Sequence, residues 1–485
     1  MTNKRHTEFN AIVVGAGLSG IGAAYRLQTG FPDFDYTILE GRAAIGGTWD
    51  LFKYPGIRSD SDMYTFGFPF APWKNPKAIA DGPAILKYIN ETADQFGIRE
   101  KIQFNKKVIS ASWDSSEKKW QLKVEDKRNN IIEVFRCKYL YMCSGYYDYR
   151  NGYTPDFPNI DAFEGKIIHP QHWDHNLDYT DKKIVIIGSG ATAVTLLPVL
   201  AEKAKMVTIL QRSPTYILNL PSEDSVANFL KKILPAKAAH TISRWKNILF
   251  SIGFYNACQR WPDTLKKYLK RKIKKTLGDK YVDKHFDPKY GPWDQRLCLV
   301  PDNDLFLALK NGNANIVTDT IETFNQYGIL LKSGKQLNAD IIITATGLKV
   351  QMFGGMELRK DGKKIDASKL HAYKGVMLSD IPNFFVAIGY TNASWTLKCD
   401  LNAQFVTKVL KHIEDSNYEY CVPVFDHNKL KTERLLDFDA GYILRAIDSL
   451  PKQGDRAPWK VYQNYIKDLF SLKYGKVNDG HLKYF

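Results

Sequence analysis

The sequence predicts an α/β fold made of two Rossmann-like domains and a helical insertion. Three observations predict it. A glycine-rich loop follows a short apolar strand close to residue 14, and a second follows another apolar strand ending at residue 187. A lysine-rich, helix-patterned stretch then runs through residues 222–287. At 485 residues the chain exceeds one ordinary core, so two or three domains are expected.

Residues 9–14 (FNAIVV) read as a buried strand, 21–28 as a helix and 35–40 (DYTILE) as the next strand. The segments 113–125 and 131–140 both hold strand-like stretches, with a polar turn at 126–130, and a meander leading to a strand at 139–142 is expected. The first pattern returns at 183–187 (KIVII), followed by GSGATA, a helix through Leu200 and a strand at 206–211. Residues 340–344 and 381–388 read as strands and 401–412 as a helix. The expected division is 1–145 and 346–485 for the first domain, 146–216 and 293–345 for the second, and 217–292 for the insertion.

In the first loop Gly15, Gly17 and Gly20 form G-x-G-x-x-G between strand and helix. The first glycine permits the tight turn, the second lets backbone approach a pyrophosphate, and the third lets helix and strand pack closely. Glu40 ends the next strand, where a carboxylate accepts ribose hydroxyls and repels a 2′-phosphate. That fits FAD or NAD. Gly46, Gly47, Thr48 and Trp49 follow, a flexible pair and a large aromatic suited to the flavin end of an extended cofactor. In the second loop Gly188, Gly190 and Ala193 form G-x-G-x-x-A. Here the next strand ends in Arg212 and Ser213, which suit a 2′-phosphate and so NADPH. Two different dinucleotides, FAD and NADPH, are expected.

Composition bounds the remainder. Hydrophobic residues at 44% and charged residues at 25% are ordinary for a globular chain, while aromatics at 13% are high. The six cysteines (137, 143, 258, 298, 399 and 421) form no CxxC pair and no disulfide or zinc spacing, so no metal is expected. No secretory signal and no run of ~18 apolar residues is visible, so a cytoplasmic chain with at most peripheral membrane contact is expected. Much of the net charge of +16 lies in residues 265–275, where Leu265, Leu269 and Ile273 mark an amphipathic helix. Its basic face reads as solvated or as a membrane-surface contact, and nucleic acid is not expected as a partner.

Between the two loops lie Phe163, Gly165, His169, Trp173 and Asp174. They match F-x-G-x-x-x-H-x-x-x-W followed by P or D, the fingerprint of the type I Baeyer–Villiger monooxygenases. The chain resembles that family and the related flavin-containing monooxygenases, most of all the branch of bacterial ethionamide-activating enzymes. Further matching stretches include GGTWDLFKYPGIRSDSDMY, CSGYY, LQRSPTYI, PWDQRLCLVP and GYTNASWTLK.

The resemblance implies that Ser19, Glu40, Gly47, Thr48, Trp49, Asp60 and Val108 line the FAD site. It implies that Arg58, the loop of Gly188, Ser189, Gly190, Ala191, Thr192, Ala193 and Val194, and Arg212 with Ser213 contact NADP. Arg296 would stabilise charge over the flavin, and Asp60 would orient it. His169 and Trp173 would be conformational. Ser59 departs from the Cys of many ketone-oxidising members, which bears on the substrate pocket. The implied reaction runs through a C4a-peroxyflavin, turns ketones into esters or lactones, and extends to sulfides or thioamides, with O2 as co-substrate. Three alternatives stay open: a disulfide reductase, a redox or membrane-surface binding protein, and a peroxide-releasing oxidase. The helical insertion and residues 348–355 are expected to shape the pocket.

The resemblance makes Arg296→Ala a sharp test. The variant is expected to keep NADPH-driven flavin reduction and to lose ketone oxygenation by ~10²–10³-fold, as for removal of one charge-stabilising donor. Stopped-flow reduction and product analysis read the two separately; full ester formation would remove Arg296 from the mechanism.

Overall fold

The computed structural model describes residues 6–295, 297–436 and 440–485. Two parallel sheets organise it. In the first, Ile102–Phe104, Tyr36–Glu40, Glu8–Val14, the end of Ile131–Met142 and Phe384–Val386 run parallel in that order. In the second the order is Ala314–Thr318, Met206–Gln211, Lys183–Ile187, Ile341–Thr344 and Lys166–Ile168, again all parallel.

The apolar runs form these strands because both faces are covered. Along Glu8–Val14, Ala11 and Val13 face the core under the helix Leu18–Gly30, while Ile12 and Val14 face a separate core beneath the meander. Along Lys183–Ile187, Ile184 and Ile186 point one way and Val185 and Ile187 the other. The expected α/β architecture with two dinucleotide-type domains is present.

The expected meander is present, and two strand readings are corrected. The strand-like stretches of 113–125 belong to two strands of that meander: Lys106–Asp114 turns through Ser115 to Lys118 and returns as Lys119–Asp126. Trp113 and Trp120 stand opposite each other across that hairpin. Residues 131–140 and 139–142 are a single strand, Ile131–Met142, whose first half pairs antiparallel with the meander and whose second half joins the parallel sheet. The strand expected at 381–388 is only Phe384–Val386, because Asn383 takes a left-handed turn (φ 47°) just before it.

Residues 217–220 form a strand paired in parallel with Cys298–Pro301. The helices of the insertion follow: Ser225–Ile233, Ala236–Arg260, Pro262–Leu277 and Asp279–His285. Arg244 ties the insertion to the first domain. It is buried, and its guanidinium donates to the carbonyl oxygens of Tyr64 (2.7 Å), Thr65 (3.2 Å) and Gly67 (2.8 Å). Leu269 and Ile273 are buried as the helical spacing requires. Three of the seven basic residues of 265–275 are paired: Lys266, Lys270 and Lys274 meet Asp287, Asp283 and Asp279 at 2.8–3.2 Å. All six cysteines are free and buried. Among the described residues no helix is long and apolar enough to cross a membrane.

His240, His285 and His371 are buried, and desolvation pulls each imidazole from 6.5 down to about 4. In the unfolded chain they take up protons once the pH falls below about 6.5. Between that pH and about 4 the unfolded state binds more protons, so stability falls with pH there; above it they add no slope. Neither ring nitrogen of His240 has a hydrogen-bond partner among the described residues. His240→Phe is therefore expected to flatten the loss, read as a smaller difference between urea midpoints at about pH 7 and about pH 5 than in the parent.

Candidate functional site

Both glycine loops open on one cavity of about 660 Å³. In the first, Gly15 has φ +104°, and a Cβ there would lie 2.7 Å from the carbonyl oxygen of Cys143, at the end of the neighbouring parallel strand. A Cβ at Gly20 would lie 1.9 Å from the carbonyl oxygen of Gly15. Gly17 caps the helix Leu18–Gly30 without a side-chain hydrogen bond, and no acidic residue occupies the first turn. Its first N–H groups are therefore uncapped and point at the cavity, an arrangement that attracts an anion.

The second loop repeats this. Gly188 has φ +135°, and a Cβ would lie 2.3 Å from the carbonyl oxygen of Ala345. Gly190 caps Ala191–Leu200, again with no side-chain cap and no acid in the first turn. Gly190, Ala191 and Thr192 line the cavity, whereas Ala193 and Val194 are buried in the core behind it. Ser189 donates to the carbonyl oxygen of Ser213 at 3.1 Å, which sets the end of the following strand beside the loop. Arg212 and Ser213 are both exposed there, outside the cavity lining.

The residue types at the strand ends match the two loops. Glu40 is buried in the cavity wall and accepts the N–H of Ala16 (2.7 Å) on one oxygen and that of Arg42 (2.9 Å) on the other. Burial pushes its carboxyl up against the pull of those two donors. Each oxygen keeps lone-pair capacity toward a pair of hydroxyls. Gly17 and Gly47 approach so closely that a Cβ on Gly47 would lie 3.1 Å from the Cα of Gly17, which leaves a cradle without side chains. Beside it the hydroxyls of Thr48 and Tyr149 lie 3.2 Å apart, and Trp49 packs edge-on against Phe66. Ser19, Asp60 and Val108 also line the cavity. The residues thus fit two dinucleotides: an uncapped helix N-terminus for each, an acid at one strand end and a guanidinium with a hydroxyl at the other.

Arg58 lines the cavity too, but its guanidinium meets the Asp304 carboxylate at the start of the helix Asp304–Lys310, on the second domain. Its Nε is buried without a hydrogen-bond partner among the described residues. Arg296 lies outside the described residues.

The linker fingerprint takes a definite shape. Phe163 is buried under the second sheet, and Gly165 abuts its ring and the carbonyl of Asp340. His169 lines the cavity; its Nδ1 accepts the N–H of Gln171 (3.2 Å), so its Nε2 carries the proton and donates to the carbonyl oxygen of Gly347 (3.2 Å). Burial pulls its pKa down, which favours that neutral form. Trp173 packs against the second core, and Asp174 pairs with Lys166 at the surface (2.8 Å).

Several cavity residues were not singled out from the sequence. Trp395, at the start of the helix Trp395–Asp415, stacks on Tyr146 with ring centres 5.1 Å apart and donates from its indole N–H to Ser19 (2.9 Å). Gln171 is buried in the wall, with Nε2 donating to the carbonyl oxygen of Asp148 (2.9 Å) and Oε1 unpartnered among the described residues. Tyr146 belongs to CSGYY and Trp395 to GYTNASWTLK, so a concentration of aromatics in matching stretches was the available signal. Residues 348–355 contribute Leu348, Gln351, Phe353, Gly354 and Gly355 to the lining, as expected. The insertion does not: no described residue of 221–287 lines the cavity, because Tyr390 and Ala393 form that wall and Ile248 packs behind Tyr390.

A family model described as "Flavin-binding monooxygenase-like" matches residues 10–418. The chain belongs to that family. It is 50% identical over 477 residues to the FAD-containing monooxygenase EthA of Mycobacterium tuberculosis, spanning 98% of this chain and 97% of that one. It is 47% identical to a probable FAD-binding monooxygenase, AlmA, of Acinetobacter baylyi, over 98% and 95% of the two chains. Among solved structures, an oxidised steroid monooxygenase bound to NADP superposes with a TM-score of 0.73 at 22% identity, covering 86% of this chain and 88% of that one. An open cyclohexanone monooxygenase gives 0.73 at 19% identity, covering 86% and 90%. At such identities these two likenesses speak for the fold.

The seat of His169 depends on Gly152, where a Cβ would fall 1.9 Å from the imidazole. Gly152→Ala is expected to expel the ring, break its bond to Gly347 and lower stability by about 2 kcal/mol. A urea melt measures the loss; an unchanged midpoint would mean the ring relocates freely.

Proposed function

We propose that this chain is an FAD-containing, NADPH- and O2-dependent monooxygenase of Baeyer–Villiger type. In this reading it converts small ketones to esters or lactones and also oxidises sulfides or thioamides. One observation carries it: two uncapped helix N-termini open on a single cavity, with Glu40 at one following strand end and Arg212 with Ser213 at the other. Membership of the flavin-binding family and the high identity to FAD-containing monooxygenases support it.

FAD fits the first loop. Gly15, Gly17, Ser19 and Gly20 form the phosphate turn, Glu40 accepts the ribose hydroxyls, and Gly47, Thr48, Trp49, Asp60 and Val108 line the rest. NADPH fits the second. The turn from Gly188 to Thr192 holds its pyrophosphate with Ala193 and Val194 packed behind it, Arg212 and Ser213 hold its 2′-phosphate, and Arg58 reaches it from the first domain. The outer segments 1–145 and 346–485 then build the FAD domain, and 146–216 with 293–345 the NADP domain. When bound, FAD reduced by NADPH supplies the activation of O2.

The chain's own residues do the remainder. Trp395 stacked on Tyr146 closes one wall of the cavity and keeps bulk water out. Neutral His169 donates to Gly347 and so holds the linker against the end of the strand Ile341–Thr344. Arg296, oriented by Asp60, serves as the fixed cation beside developing negative charge, a role resting on the family resemblance.

The test is the flavin spectrum of the purified protein, then mass analysis of products from a ketone and sulfide panel with NADPH and isotopically labelled O2. One labelled oxygen per product is expected. A bound flavin with no label in any product would defeat the proposal. Arg212→Ala is expected to raise KM for NADPH by ~10-fold or more while leaving KM for NADH nearly unchanged, which steady-state kinetics with both coenzymes measures.

A further inference from the structure

The helical hairpin Ser225–Ile233 and Ala236–Arg260 carries large apolar side chains on its outer side as well as its inner one. In the first helix, Val226, Phe229 and Ile233 share one face and are all exposed, while Asn228 and Lys231 face the protein. Asn228 donates to the carbonyl oxygen of Pro76 (3.2 Å) and Lys231 to that of Asn75 (2.9 Å). In the second helix the buried face is mixed, with His240, Ser243 and Arg244 beside Ala239, Ile248 and Cys258, while Ile242, Trp245 and Leu249 form the outer face and Phe250 stands beside it. Phe229, Ile233, Leu249 and Phe250 are each 54–59% exposed. A helix of a water-soluble protein normally turns its apolar stripe inward. Here a mixed polar and apolar face anchors the hairpin and a further apolar stripe faces out, a concentration that marks an interaction surface.

The charge around it is one-sided. Residues 225–277 hold thirteen Lys and Arg and one acid, Asp263. The ion pairs of Lys266, Lys270 and Lys274 leave Lys232, Lys237, Arg260, Lys267, Arg271 and Lys272 exposed, together with Lys275. Exposed aromatic and aliphatic side chains flanked by cations suit an interface that is apolar inside and anionic at its surface. A second copy of the chain fits poorly, because a symmetric contact would bring two basic hairpins together. Nucleic acid fits poorly, because its phosphate backbone offers nothing to the apolar stripes.

We propose that this hairpin docks the protein on an anionic lipid bilayer, with Phe229, Ile233 and Leu249 entering the interface and the cations facing the headgroups. The contact is peripheral and reversible, and independent of the proposed reaction.

The experiment is flotation of the full-length protein with vesicles of phosphatidylcholine alone and of phosphatidylcholine mixed with phosphatidylglycerol. The protein is expected to float with the anionic vesicles, to float far less with the neutral ones, and to be released by raised salt. Phe229→Ser/Ile233→Ser/Leu249→Ser is expected to lower partitioning by about tenfold or more, with NADPH oxidation and circular dichroism unchanged. Lys232→Glu/Lys237→Glu is expected to lower binding to anionic vesicles alone. If the triple variant misfolds, Phe229→Ser alone carries the same expectation with a smaller drop. The proposal is overturned if the parent stays below the anionic vesicles, if the serine variant floats as the parent does, or if light scattering shows a dimer that the serine variant abolishes while vesicles bind neither.

Discussion

A backbone N–H can reach a phosphate only where no side chain intervenes, and both halves of this molecule are arranged around that constraint. Gly15 and Gly188 each turn with positive φ against the carbonyl that ends a neighbouring parallel strand, Cys143 in one sheet and Ala345 in the other. A methyl group at either would collide with main chain, and main chain cannot move aside without breaking the sheet. The helix that follows each turn starts with uncapped N–H groups directed at the same cavity. The sheet order, the cores on both faces and the position of each helix serve to hold those two ends in place.

What differs between the halves is charge at the next strand end. Glu40 is buried and held by two N–H donors, so the first site is closed to a further anion at that point. Arg212 is exposed beside the second loop, ready for a charged group arriving from solvent. A buried acid suits a cofactor that stays, and an exposed guanidinium suits one that exchanges. The contact of Arg58, in the cavity wall, with Asp304 links the two halves, one charge from each.

The insertion obeys a different rule. Arg244 reaches three carbonyl oxygens of the first domain, so the segment is anchored through polar groups. With polar contacts sharing the anchoring, Phe229, Ile233, Leu249 and Phe250 are left to face outward while Ile248 packs inward. Its third helix is conventional by contrast, with Leu269 and Ile273 inside and a row of lysines matched to a row of aspartates.

The sequence by itself determined what depends on local chain geometry. The glycine turns, the acid and the arginine at fixed distances after them, the apolar runs of the parallel strands and the linker fingerprint are short-range patterns, and each stands in the structure where its spacing placed it. Tertiary structure alone decided which distant segments meet. Trp395 lies hundreds of positions from Ser19, yet its indole donates to that hydroxyl; Gln171 enters the cavity wall only because the linker folds back on Asp148. Neither has a period or a motif of its own. Nor could helical spacing show that the hairpin's apolar stripe faces outward, since periodicity records that a stripe exists and only packing against a neighbour decides which side water touches.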